Sequence, residues 1–315
     1  TLHDYNADCF KDSRLVQLFD RYATYNGSSP YQTPGIMSMI PHLEQYYGTF
    51  FPKGGMHSIT QSIYQLAIDL GVEFNFNSKV DKILVENKKA IGISTDTKDY
   101  FAEYVISNSD VVTTYRTLLK DQKSPEKTLQ QPRSSSALIF YWGIKKEFPT
   151  LDLHNIFFSD NYKQEFDYIF TKQEVYKDPT VYVNISSKEN KSDAPKDCEN
   201  WFVMVNVPSS FNYGEEEIQL LKDRVLRKIS KILKVKLLPL ILTEEILHPK
   251  KIRNNTNAYL GALYGTASNS VISAFNRHSN FSSKFKNLYF VGGTVHPGGG
   301  IPLCLNSAKI VVDSL

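Results

Sequence analysis

From Asn287 to Val311 the chain reads NLYFVGGTVHPGGGIPLCLNSAKIV, and these residue types could do more chemistry than any other stretch. The pattern predicts a buried strand over 288–291, a glycine-dense turn, and a helix opening at Pro302. Proline suits the first helical position because its missing N–H has no partner there to lose. Glycines between a strand and a helix have two readings. One is a tight connection that needs positive φ. The other is a cradle: the Leu303 and Cys304 N–H groups, at the positive end of the helix, face a group that gains negative charge. The N1–C2=O edge of a reduced flavin is such a group, and small Ser307 and Ala308 let the helix pack close beneath the ring. His296, beside the turn, reads either as a local hydrogen-bond former or as an acid or base.

Several other chemistries lack their residues. The chain contains no H-E-x-x-H, no C-x-x-C and no G-x-S-x-G, so zinc hydrolysis and serine-nucleophile chemistry have neither ligands nor elbow. No metal ligands and no catalytic acid or base are assigned. Gly298–Gly300 is not a phosphate loop, since no Gly-Lys-Ser/Thr follows it, and no G-x-G-x-x-G occurs anywhere. The net charge of +3, from 36 basic and 33 acidic residues, gives no electrostatic case for nucleic acid. Cys9, Cys198 and Cys304 are odd in number and far apart, which suits a reduced, cytosolic-type compartment rather than a disulfide framework. No apolar run approaches the ~18 residues of a membrane span. The chain opens at Thr1 rather than Met, so the natural N-terminus and its targeting information are expected upstream.

The elements that must position the turn follow from periodicity and punctuation. At 315 residues, 41% hydrophobic and with 19 Tyr and 19 Phe, the chain can fill two domains with large apolar surfaces. A short amphipathic helix is predicted over 11–22, capped by Asp12. An ordered irregular loop follows to Pro41, anchored by Tyr22, Tyr25, Tyr31, Ile36 and Met37. Pro52-Lys-Gly-Gly-Met56 turns into a helix with Ile59, Ile63, Leu66 and Leu70 on one face and Gly71 as a left-handed cap. Strands are predicted at 72–76, 80–85, 90–95 and 104–107, as part of an α/β layer. From Ser135 the texture changes to strands at 137–144, 181–185 and 201–207, which reads as a second, sheet-based domain inserted into the first. A helix over 215–233 follows, with Ile218, Leu221, Val225, Ile229 and Ile232 on one face. Seven basic residues run from Lys222 to Lys236. They form either the solvated face of a helix covering a sheet or a membrane-surface helix.

The 287–311 run resembles the signature of the bacterial and fungal-type phytoene desaturases, FAD-dependent carotenoid desaturases. Further matches occur in the family's order: LFDRYATYNGSSPY (18–31), PKGGM (52–56), GVEF (71–74) with Val80, and VISNSD (105–110). The resemblance covers essentially the whole chain. RYATYNGSSPYQTPGIMSMIPHLE looks most like the branch that desaturates hydroxylated, often monocyclic, carotenoids at C3',4'.

The resemblance implies an α/β (α+β) fold: a glutathione-reductase/amine-oxidase-like FAD domain with an inserted sheet-plus-helix substrate domain. It divides the chain into 1–52 (helical and loop part of the substrate domain), 53–112 (FAD domain), 113–280 (substrate domain) and 281–315 (C-terminal FAD segment). By motif, Gly292, Gly293 and Thr294 would line the pyrophosphate and ribityl region, and Gly300, Ile301 and Pro302 would lie against the isoalloxazine. Val80 would meet the adenine through its backbone. The implied reaction removes two hydrogens from a carotenoid single bond, with hydride passing to flavin N5 and quinone or oxygen as electron acceptor. Tyr25 and Tyr31 either steady developing positive charge in the polyene or anchor their loop. Phytoene or diapophytoene desaturation, a carotenoid oxygenase or saturase on the same fold, and a non-catalytic carotenoid-binding protein are the alternatives. The lipid-soluble substrate implies a cytoplasmic protein peripheral on the inner face of the cell membrane. Family members open with strand–G-x-G-x-x-G–helix. A dinucleotide-binding segment ahead of Thr1 is therefore expected, and FAD is expected to be held weakly without it.

Overall fold

The computed structural model describes residues 1–209, 214–270, 273 and 276–315. Its strands are β1 (Val80–Glu86), β2 (Lys89–Thr95), β3 (Asp99–Phe101), β4 (Val105–Ser107), β5 (Ser136–Ile144), β6 (His154–Phe157), β7 (Val181–Asn184), β8 (Glu199–Val207), β9 (Ile241–Leu247) and β10 (Leu288–Phe290). The chain forms two units, one from Thr1–Pro41, Phe76–Ser136 and Lys250–Leu315, the other from His42–Asn75 and Ala137–Pro249.

In the first unit, β1, β2 and β3 form an antiparallel sheet. Asn87 and Lys88 make the β1–β2 turn with φ of 47° and 60°, the positive values a two-residue hairpin of this hand needs at both positions. β4 pairs in parallel with β10, Leu288 opposite Val105 and Phe290 opposite Ser107, so distant segments of sequence meet. Ile83, Ala90, Val112, Leu288 and Phe290 are buried in one cluster that holds this pair against the hairpin. The larger of these, Ile83, Val112, Leu288 and Phe290, each contribute about 1.5–3 kcal/mol by leaving water. The helix Ser13–Asp20 starts at its predicted cap, with the Asp12 carboxylate accepting from Arg14 N–H.

The second unit centres on a sheet of order β6-β7-β8-β5-β9. Strand β8 alternates, so that Trp201, Val203 and Val205 are buried. Its inward residues meet Leu221, Val225 and Ile229 of the helix Glu215–Leu233, which covers the sheet over the range expected. Ile232 departs from expectation. It is 53% exposed, and Leu226 is buried instead, because the buried stripe tracks one residue to the side of the predicted face. Lys222 pairs with Glu244 at 2.7 Å and Lys228 with Asp178 at 2.8 Å, so two of the basic residues serve the fold.

Two local expectations need correction. The helix His57–Asp69 forms and Gly71 caps it at φ 82°, with Val72 N–H reaching Ala67 O, but none of its residues is buried. Residues 72–76, expected as a strand, adopt none: alternation makes a strand only where a neighbouring strand takes up its backbone groups, and no ladder includes these residues. The C-terminal helix spans Ile301–Val312, with Gly300 as its cap, one residue earlier than predicted. Pro302 is thus the second helical residue, where a missing N–H is equally harmless.

Candidate functional site

The turn after β10 is built by close approach. Val291 N–H extends the parallel ladder to Ser107 O at 3.0 Å. Gly292 follows at φ 100°, where a Cβ would stand 2.4 Å from Asn108 Oδ1, so only glycine fits. Its N–H donates to Ser307 Oγ at 3.1 Å, and Asn280 Nδ2 donates to the same oxygen at 2.8 Å. Ser307 therefore pins the C-terminal helix to the turn. Its hydroxyl is buried and occupied by both donors. The two limbs of the turn touch, with a Cβ on Gly293 lying 3.3 Å from Gly299 Cα.

Gly300 is different in kind. Its φ of 112° with ψ of 146° is a region essentially reserved for glycine, and nothing lies within 4 Å of where a Cβ would be. The chain turns there beside open space. At the helix start beyond it, Cys304 N–H donates to Gly300 O at 2.9 Å, so it closes the first helical turn and does not face outward as expected. The Ile301 and Leu303 N–H groups are left without an intrahelical carbonyl, and Pro302 has none to offer. These two donors and the helix dipole form the anion-friendly edge of the turn.

Thr294 Oγ1 accepts from Val111 N–H at 3.1 Å, which joins the turn to the segment after β4. Asp110 caps that segment through Val112 N–H at 2.8 Å and also accepts from Tyr259 N–H at 3.2 Å. Val80 stands at the start of β1, opposite Thr95, and lines a cavity of about 530 Å³ with Ile106, Asn108, Ser109, Thr113 and Asn257. Asn108 belongs to both places: it lines this cavity and abuts Gly292. Asn108 was legible only as part of the VISNSD match, not as a site residue.

His296 is held by its backbone, N–H to His278 O and C=O from Asn280 Nδ2, both at 2.9 Å, while its side chain is exposed. Tyr25 packs on Tyr22 with ring centroids 5.1 Å apart, and Tyr31 on His3 at 4.6 Å, which fits a loop-anchoring role. Behind the turn lies Arg277, which sequence reading missed because a lone arginine carries no motif. It is 7% exposed and donates to Tyr264 O at 3.0 Å, Thr266 O at 2.8 Å, Ser268 Oγ at 3.3 Å and, at 3.5 Å, Gly293 O. Burial, and then the like charge of Arg133, lower its pKa to about 10.

The profile of the family described as flavin containing amine oxidoreductase matches residues 4–315. The chain is 57% identical over 305 residues to a 1-hydroxycarotenoid 3,4-desaturase of Flavobacterium sp. (strain P99-3), which is 96% of this chain and 62% of that protein. It is 31% identical over 309 residues to a 4,4'-diapolycopene oxygenase of Methylomonas sp, again 96% of this chain and 62% of that protein. The chain thus spans 62% of the length of these curated relatives. Among solved structures, an oxidoreductase from Methanosarcina mazei aligns with TM-score 0.64 at 17% identity, covering 99% of this chain and 68% of that one. Cyclohexylamine oxidase from Brevibacterium oxydans aligns with TM-score 0.55 at 10% identity, covering 100% and 67%. The fold is the amine-oxidase-like α/β architecture expected, and no helix among the described residues is long and apolar enough to cross a membrane. With a family match across nearly its full length, this chain belongs to the flavin-containing amine oxidoreductases.

Proposed function

We propose that the chain is part of an FAD-dependent carotenoid desaturase acting on a hydroxylated carotenoid at the 3,4 bond. The observation that carries this reading is the 57% identity over 305 residues to a 1-hydroxycarotenoid 3,4-desaturase. The turn fits a flavin: glycine backbone where a Cβ would collide or strain, open space at Gly300, and Ile301 and Leu303 N–H groups left without an intrahelical carbonyl. When bound, FAD supplies a two-electron acceptor, so that a carotenoid C–C single bond loses a hydride and a proton to become a double bond.

The chain's own residues do the holding. Val80 and the cavity it lines would take the adenine end. Gly292, Gly293 and Thr294 would lie along the pyrophosphate and ribityl chain; of these Gly292 supplies closeness rather than a donor, since its N–H is spent on Ser307. Gly300, Ile301 and Pro302 would meet the isoalloxazine, with Ile301 N–H and Leu303 N–H favouring an anionic ring edge. The domain assignment we propose follows the ligand each segment would meet rather than compactness: 53–112 and 281–315 for FAD, 1–52 and 113–280 for the carotenoid. Quinone or oxygen would take the electrons onward. The membrane surface, on its cytoplasmic side, is the place where such a lipid-soluble substrate is met.

A second reading, carotenoid oxygenation, is favoured by the 31% identity to a 4,4'-diapolycopene oxygenase. One assay separates the two. Full-length protein is incubated with FAD and a 1'-hydroxylated carotenoid carrying a saturated 3',4' bond, and the product is followed by absorbance and mass. Desaturation gives a red shift with loss of two mass units, oxygenation a gain of oxygen. An unchanged spectrum and mass would sink both.

A further inference from the structure

Arg277 carries a positive charge into the interior, and among the described residues no acid pairs with it. The partners of its donors among those residues are backbone carbonyls and one hydroxyl: Tyr264 O, Thr266 O, Gly293 O and Ser268 Oγ. The charged group that acts on it most is Arg133, of like sign. The acid nearest in character, Asp110, acts on Arg133 instead and is occupied by the N–H groups of Val112 and Tyr259. Burial depresses the Arg277 pKa only to about 10, so the group stays charged near neutrality. A buried cation of this kind is costly unless something nearby gains from its field.

Its position says what gains. The guanidinium packs against the glycine turn, Nε 3.0 Å and Cζ 3.3 Å from where a Cβ on Gly298 would stand. It donates to Gly293 O in the turn and to the carbonyls of Tyr264 and Thr266. The helix that leaves the same turn starts with the Ile301 and Leu303 N–H groups lacking an intrahelical carbonyl. The arginine and the helix start therefore bring fields of the same sign to one turn.

We propose that Arg277 tunes the redox potential of the flavin: it positions the turn and places fixed positive charge against the segment that would hold the ring, which gains negative charge on reduction. This rests on the flavin reading of the turn given above. It concerns a property, the midpoint potential of the bound flavin, that can be read without any carotenoid turnover.

The test uses full-length, FAD-loaded protein equilibrated with a redox dye. Arg277→Gln removes the charge and keeps a hydrogen-bond donor. Ser268→Asp keeps the arginine and its bonds to the turn, but sets a carboxylate against Nη2. Both are expected to lower the ratio of reduced to oxidised flavin about tenfold at fixed ambient potential, a fall of about 30 mV for a two-electron couple. Arg277→Lys, which keeps the charge and loses the planar fork, is expected to restore most of the potential. Wild-type potential in Arg277→Gln or, if that variant does not fold, in Ser268→Asp overturns the proposal. So does an Arg277→Lys protein shifted as far as Arg277→Gln, which would mark a purely structural role. If the wild-type protein binds no flavin, the reading of the turn itself falls before any variant is compared.

Discussion

His278 lies buried with its ring edge-on to Phe290, the centroids 4.7 Å apart. Its Nδ1 meets Ser279 O at 2.7 Å, and a carbonyl can only accept, so Nδ1 carries the proton. Nε2 then accepts from Tyr115 O–H at 3.2 Å, a phenol whose own pKa is pushed up to about 12 by burial. The same burial lowers the His278 pKa below its ordinary 6.5. The sign follows directly. Below pH 6.5 the unfolded chain takes up this proton before the folded one does, so stability falls as pH falls through that window. The slope contributed by one such group is at most about 1.4 kcal/mol per pH unit. Asp12, held near 2 by Arg14, titrates well below the window and does not confuse it. Chemical denaturation of wild type and His278→Gln at pH 7 and 5.5 measures this. The variant is expected to lose less stability on acidification than wild type, and equal losses would refute the assignment.

Among the elements, the helix Glu215–Leu233 shows how far periodicity reaches. Its ends were readable from three opening glutamates and a basic last turn, and its face from apolar residues three and four apart. What the spacing could not decide was which edge of the stripe faces the sheet, since Leu226 and Ile232 both fit a helical period. Packing against β8 decides it, burying Leu226 and leaving Ile232 outside. Ile229→Ala removes a fully buried side chain and is expected to cost about 2–5 kcal/mol. Ile232→Ala is expected to change stability by no more than about 0.5 kcal/mol. Comparable denaturation midpoints for the two variants would show that the helix sits on its sheet in another rotation. The 72–76 segment was misread for a complementary reason. Val72, Phe74 and Phe76 alternate as a strand does, but strand formation is a property of a pair, and one sequence segment cannot announce its partner. At the site, glycines and proline announced the turn because backbone geometry restricts residue type. Arg277 and Asn108 stayed silent, because what brings them to the turn is contact with segments distant in the chain.

At the scale of the whole molecule, the open question is whether the basic run from Lys222 to Lys236 meets a lipid surface. A helix that lies in a membrane interface needs both faces free: basic residues for the headgroups and an apolar face to enter the acyl boundary. Here the apolar face is spent on the sheet, where Leu221, Val225 and Ile229 are buried. Lys222 and Lys228 are spent as well, on Glu244 and Asp178. What remains outward is mainly charge, from Arg227, Lys231, Lys234 and Lys236, with Leu220 and Ile232 as scattered apolar residues rather than a continuous face. Such charges attract an anionic bilayer by about 1 kcal/mol each when they lie near its surface, and salt screens them. If the run recruits the protein, replacing Lys231, Lys234 and Lys236 by Glu would weaken vesicle binding by roughly a hundredfold or more. The burial of the apolar face argues the other way. The triple variant of the full-length protein is expected to co-sediment with phosphatidylglycerol vesicles as wild type does, at low and at physiological salt. A hundredfold loss at low salt would assign the basic face to the membrane after all.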